Sequence, residues 1–161
     1  MNSIRVFVWS LRRLLWIAAF LLCPQAHGKP PTEWQFKTWQ DAVTQAEAEK
    51  KPLFVIFGFE DCQWCDYLYR RGMNDAELRG KYQRAAALTY FDTKSTNQAE
   101  QLILPGGATI TRAEIIKRFQ AYPTPSWVFI SPSGEVLQAN RSGKSTSREM
   151  LRDLEAALLK K

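Results

Sequence analysis

Cys62 and Cys65 stand two residues apart, directly after the apolar run Leu53-Phe54-Val55-Ile56-Phe57-Gly58-Phe59. Thiols at this spacing can close an intramolecular disulfide and reopen it by exchange with another thiol or disulfide. Closing a loop of two intervening residues removes little freedom from the unfolded chain, so a purely stabilising bridge is poorly motivated. Redox turnover is the better reading. If a helix starts here, Cys62 sits in its first turn. Unpaired backbone N–H groups and the positive end of the helix dipole then favour its thiolate, which attacks. Cys65, one turn inside, is shielded and resolves the mixed disulfide.

Other cysteine chemistries are tested by counting ligands. Haem attachment needs a histidine straight after the second cysteine, and that position holds Asp66. The chain has three cysteines and one histidine, and the N-terminus accounts for Cys23 and His27. There, Arg5, Arg12 and Arg13 form a basic region with no acid before Glu33, and Leu14 to Leu22 form an apolar run. Ala26-His27-Gly28 then places small residues where a signal peptidase reads them. Residues 1–28 are therefore expected to be a signal peptide cleaved before Lys29, leaving residues 29–161 as one domain. The apolar run is well short of the roughly 20 residues of a spanning helix, which disfavours the alternative of an uncleaved membrane anchor facing the periplasm. The Arg12-Arg13 pair and Cys23 fit twin-arginine and lipoprotein signals poorly, since bulky Leu22 precedes the cysteine.

Without the leader, two cysteines and no histidine remain, too few for an ordinary zinc site. No metal or other cofactor is expected. Copper(I) on the dithiol, as in a metal chaperone, is the alternative chemistry. Removing three leader arginines from the 22 basic residues leaves 19 against 16 acids, a mild excess that argues against nucleic acid as a partner. In an oxidising compartment the remaining pair can close on itself.

The surrounding elements must place this pair. Trp39, Ala42, Val43 and Ala46 share one helical face, predicting a helix over 38–50 that Pro52 stops. Residues 53–59 read as a central strand covered on both faces. A helix follows from the cysteines to Gly72. Asn74-x-x-Glu77 resembles a capping box for a short helix to about Lys81, and 85–91 reads as a second strand. Residues 98–104 are expected to form a short helix before the Pro105-Gly106-Gly107 turn. Thr111-x-x-Glu114 caps a helix bearing Ile115, Ile116 and Phe119. Strands over 127–131 and 135–140 flank the turn Pro132-Ser133-Gly134, and Thr146-x-x-Glu149 opens a last helix with Met150, Leu151, Leu154 and Leu158. The order α-β-α-α-β-α-β-β-α gives an α/β fold, a central mixed sheet with helices on both faces.

Residues 34–159 resemble the thioredoxin-like superfamily, and within it the exported thioredoxins of bacteria. Lys51-Pro52-Leu53-Phe54-Val55 leading into the first central strand is typical of that group. So is Thr124-Pro125-Ser126-Trp127-Val128-Phe129 followed by Pro132-Ser133-Gly134. The region from Thr111 through Gly134, with its helix leading into that proline, and the long piece before it, Asp92 to Thr111, are similar to periplasmic thioredoxins of sulfur-oxidation operons. The resemblance implies a thioredoxin-like fold and a cis proline facing the cysteines, either Pro123 or Pro125. Gly134 follows Pro125 by nine positions, a spacing that favours Pro125. A rigid loop leading to an edge strand is the plainer alternative for both prolines. In the family, the residue before that proline, here Thr124, offers backbone hydrogen bonds to a substrate strand.

The chain also departs from the family pattern. Ile56 occupies the position where many thioredoxins carry a buried carboxylate that shuttles protons. Glu60, Asp61 and Asp66 flank the pair instead, which should raise the Cys62 pKa, and Asp61 is a candidate N-cap. Gln63-Trp64 contains neither the proline of reducing thioredoxins nor the histidine of strong oxidants. The expected activity is thus a periplasmic thiol–disulfide oxidoreductase, acting as a reductase on cysteine-containing envelope proteins and working as a monomer. A transmembrane disulfide reductase is the expected electron donor. Trp64, with Tyr67 and Tyr69, is a candidate apolar rim for docking substrate, the bland reading being helix packing. The alternative from a different class is a thioredoxin-fold docking or assembly factor with an inert disulfide.

Overall fold

The computed structural model describes residues 28–141, 143 and 146–160. The expected leader lies outside the described residues except for Gly28. After a single 3-10 turn at Thr32–Trp34, the elements run α1 (Trp39–Ala48), β1 (Leu53–Gly58), α2 (Gln63–Arg71), α3 (Ala76–Ala85) and β2 (Ala87–Asp92). They continue as β3 (Gln101–Ile103), β4 (Thr109–Thr111), α4 (Arg112–Arg118), β5 (Ser126–Ile130), β6 (Val136–Asn140) and α5 (Ser147–Leu159).

β1 is buried along its whole length because it is an inner strand of a four-stranded sheet ordered β2-β1-β5-β6. It runs parallel to β2, with Leu53 opposite Ala87, and antiparallel to β5, with Ile56 opposite Trp127. β6 closes the other edge antiparallel to β5. Parallel pairing of β1 and β2 needs a crossover, which α2 and α3 supply. Lys37 extends the β2 edge by one bridge to Thr89.

Alternation along β1 divides the core. Phe54 and Ile56 join Cys65, Leu68, Tyr82, Trp127, Phe129 and Leu154 beneath α2, α3 and α5. Leu53, Val55 and Phe57 join Val43, Phe91, Leu102, Ile115 and Phe119 beneath α1, the β3–β4 hairpin and α4. The mixed sheet with helices on both faces is the architecture the element order predicted.

One expected element is replaced. Residues 98–104 do not form a helix; 101–103 pair antiparallel with 109–111 as a two-stranded hairpin. The physical reason is the pattern around the turn. Leu102 and Leu104 point inward on either side of exposed Ile103, a period of two rather than 3.6. The β-branched Thr109-Ile110-Thr111 supplies the partner strand. The Trp39 indole N–H donates to the Ile103 carbonyl at 2.7 Å, and Arg112 holds Glu100 through two nitrogens at 2.9 and 3.0 Å. At the turn, Gly106 has a φ of 85° and a β-carbon there would lie 2.6 Å from the Ser133 carbonyl oxygen, so only glycine fits.

Smaller shifts have local causes. The N-cap of α3 is Asp75 rather than Asn74, because the Asp75 carboxylate accepts from the Glu77 and Leu78 N–H groups at 2.9 and 3.0 Å. α3 runs on to Ala85, past the expected Lys81, which brings Tyr82 onto the core face, and β2 accordingly begins at Ala87. The capping boxes at Thr111/Glu114 and Thr146/Glu149 both form.

Candidate active site

The sheet ends its apolar run at Gly58, and the chain must turn there to enter α2. Asp61 takes a left-handed φ of 63°, so it does not serve as the N-cap that the sequence suggested. Cys62 is itself the N-cap: its Sγ accepts from the Cys65 N–H at 3.2 Å. The sulfur thus occupies the position where a helix start stabilises an acceptor or an anion. Cys62 and Cys65 are joined as a disulfide with a Cα–Cα distance of 5.2 Å. Their environments differ. Cys65 is completely buried, whereas Cys62 keeps 4% of its surface and borders a groove of about 290 Å³ lined by Gly28, Asp61, Gln63, Asp66 and Arg70.

Of the three flanking acids, Asp66 is paired with the Arg70 guanidinium at 3.2 Å, one helical turn away. This pair offsets part of the negative field expected on Cys62. Glu60 and Asp61 are exposed.

The loop before β5 reaches the pair from across the sheet. The Thr124 hydroxyl lies 3.4 Å from Cys62 Sγ. The Tyr122–Pro123 and Thr124–Pro125 peptide bonds are both cis; Pro125 is buried while Pro123 is exposed. Ser126 ties the loop down by donating from its hydroxyl to the Ala121 carbonyl at 2.9 Å, and the Tyr122 hydroxyl reaches the Thr93 carbonyl at 3.4 Å. Sequence reasoning assigned Thr124 a backbone role only. The proximity of its side chain to Cys62 becomes visible once the sheet register is known.

The three aromatic residues part company. Trp64 is 68% exposed and Tyr67 43%, and their rings meet edge to face with centroids 6.4 Å apart. Tyr69 is buried, so it is not part of the rim.

Gly58 is a site residue that motif reading did not single out. Its carbonyl accepts from both the N–H and the hydroxyl of buried Thr93, at 2.8 and 3.1 Å. A β-carbon at Gly58 would meet the Tyr90 ring at 3.0 Å, the Tyr69 hydroxyl at 3.1 Å and Cys65 Sγ at 3.3 Å. The bare α-carbon lets the strand end lie flush against the buried sulfur. Gly58→Ala is expected to cost about 1–3 kcal/mol through overpacking, read from denaturant unfolding of the oxidised protein.

Ile56, also buried, packs in the cluster that holds Cys65 and puts only hydrocarbon there. Among the described residues the buried carboxylate is Asp153 of α5, which accepts from the Trp127 indole N–H at 3.1 Å and from the Gln138 amide at 3.1 Å. It serves as an anchor between α5 and the sheet.

Solved structures with this arrangement are found among thioredoxin-fold proteins. A thioredoxin from Thermus thermophilus superposes with a TM-score of 0.62 at 18% identity, covering 78% of this chain and 87% of that one. A putative disulphide-isomerase from Bacteroides thetaiotaomicron gives 0.58 at 21% identity, covering 76% and 91%. A structure described as DsbH oxidoreductase gives 0.59 at 15%, covering 84% and 90%. At these identities the likeness is one of fold. Among curated proteins none matches significantly. The sequence itself matches the family profile described as Thioredoxin-like domain over residues 39–158, most of the chain, including both cysteines and the Thr124-Pro125 step. The chain therefore belongs to the thioredoxin-like domain family.

Proposed function

We propose that this protein is an exported thiol–disulfide oxidoreductase that reduces disulfides in proteins of the cell envelope. The observation that carries the reading is the asymmetry of the pair: Cys62 Sγ caps a helix start beside a groove, and Cys65 is sealed behind it. The reduced Cys62 thiolate attacks a substrate disulfide, forming a mixed disulfide and releasing one substrate thiolate. Cys65 then attacks Cys62 Sγ, releasing the second substrate thiol and closing the internal disulfide. Two electrons pass from the dithiol to the substrate. A dithiol donor, such as a transmembrane disulfide reductase, restores the starting state.

Thr124 stands beside the attacking sulfur and, with Pro125 after it, positions the substrate strand, and the exposed Trp64–Tyr67 pair offers an apolar rim for its side chains. The basic and apolar leader supports export to the periplasm. Lys29 as the N-terminus of protein recovered from its native host would establish cleavage; an intact leader would place the domain on a membrane anchor instead.

Direction is decided by the reduction potential of the Cys62–Cys65 pair. A reductase is expected near about −270 mV, where reducing thioredoxins sit, while a midpoint near about −120 mV would make the protein an oxidant. Thr124→Val, which keeps the branched shape and removes the hydroxyl beside Cys62, is expected to slow the first exchange step by about 2–10-fold. That is the worth of one neutral hydrogen bond, about 0.5–1.5 kcal/mol. Stopped-flow kinetics against a small disulfide would measure it.

A further inference from the structure

Tyr69 carries a hydroxyl that is buried and unpartnered, one helical turn from the inner cysteine. The residue is 4% exposed, and its Oη has no hydrogen-bond partner. It stands four residues after Cys65 on α2, so the two side chains share one helix face. Both Tyr69 Oη and Cys65 Sγ lie within 3.3 Å of the point where a Gly58 β-carbon would be. A buried donor without an acceptor is unfavourable, and native structures leave few of them.

The oxidised state explains why this one is idle. A disulfide sulfur is a weak acceptor and cannot donate, whereas a thiol does both, and the thiolate that Cys65 becomes as it resolves a mixed disulfide is a strong acceptor. Reduction converts Cys65 from the first to the second and so offers the Tyr69 hydroxyl a partner that the disulfide does not. On β1, Ile56 presents only hydrocarbon to this cluster. Burial first, then the neighbouring Tyr90 and Asp66, pushes the Tyr69 phenol well above its ordinary pKa. It therefore stays protonated and acts as a donor, not as a base.

We propose that the Tyr69 hydroxyl is the hydrogen-bond donor that stabilises reduced Cys65, and so sets the redox equilibrium of the pair. This role rests on reading Cys62–Cys65 as a redox couple. Tyr69 acts through Cys65 and is a positioning residue, not a group that meets substrate.

The test is equilibration of the protein with graded mixtures of reduced and oxidised glutathione. In Tyr69→Phe the reduced state loses its donor and the oxidised state loses a stranded hydroxyl, and both changes favour the disulfide. The equilibrium constant is expected to move about tenfold toward the disulfide, which for this two-electron couple is about 30 mV more negative. Tyr82→Phe is the structural control. Its hydroxyl donates to the Met150 carbonyl at 2.9 Å, and its loss should weaken both redox states alike and leave the equilibrium in place. An unshifted equilibrium in Tyr69→Phe, a shift toward the dithiol, or an equal shift in Tyr82→Phe would overturn the role of Tyr69 while leaving the redox pair intact. A wild-type disulfide that does not exchange with glutathione at all would overturn the redox reading and this inference together.

Discussion

Cys65→Ser is expected to accumulate partner proteins as mixed disulfides, while Cys62→Ser accumulates none and loses exchange activity to the uncatalysed background. The expectation follows from geometry. Attack on a protein disulfide needs a sulfur that a substrate strand can approach. Cys62 borders the groove and the Thr124 hydroxyl, whereas Cys65 is wholly buried behind it. Removing Cys65 leaves the first step possible and abolishes the intramolecular one, so the covalent complex waits for an outside thiol. Removing Cys62 leaves a thiol that no substrate reaches. Non-reducing electrophoresis of envelope extracts incubated with each variant separates the two cases, and equal trapping by both would contradict the assigned roles.

Trp34→Ala is expected to destabilise the protein by about 3–5 kcal/mol, a large share of a small domain's total. Trp34 is completely buried and its indole N–H donates to the Met73 carbonyl at 2.8 Å, just beyond the end of α2. Its ring meets Tyr82 edge to face with centroids 5.2 Å apart and stacks on Phe36 at 6.0 Å. Truncation would leave a cavity under the helix that bears both cysteines and strand a carbonyl at its far end. Urea unfolding is the check. Trp34→Phe, which refills most of the volume but not the hydrogen bond, is expected to recover more than half of the loss.

Where local pattern and tertiary demand agreed, the chain could be read directly. The strand over 53–58, the helix from the cysteines, the two Thr–Glu capping boxes and the β5–β6 pair each carried their own signal in hydrophobic period or cap chemistry. The mixed sheet followed from their order. The β3–β4 hairpin was misread because three-residue strands show too little period, and because what stabilises it lies far away in sequence: Trp39, Glu47 and the turn at Ser133. The same limit applies to the site. Cys62, Cys65 and the Thr124-Pro125 step are motif residues and were visible at once. Gly58 and Tyr69 acquire meaning only when β1 and α2 are packed together, since their importance is a matter of which atoms meet above a missing side chain. Asp61 is a candidate cap by residue type alone; in the fold Cys62 holds the extended N-cap backbone and Asp61 the left-handed one.

The central claim is that the Cys62–Cys65 pair turns over rather than merely bridging the start of α2. The most direct measurement is the rate at which the protein, kept reduced by dithiothreitol, reduces the disulfides of a folded substrate such as insulin. Turnover well above the rate with dithiothreitol alone, abolished by Cys62→Ser, is the expected result. A rate no different from dithiothreitol alone, with the Cys62–Cys65 bond intact after incubation, would contradict it and leave the disulfide a structural fixture of a docking protein.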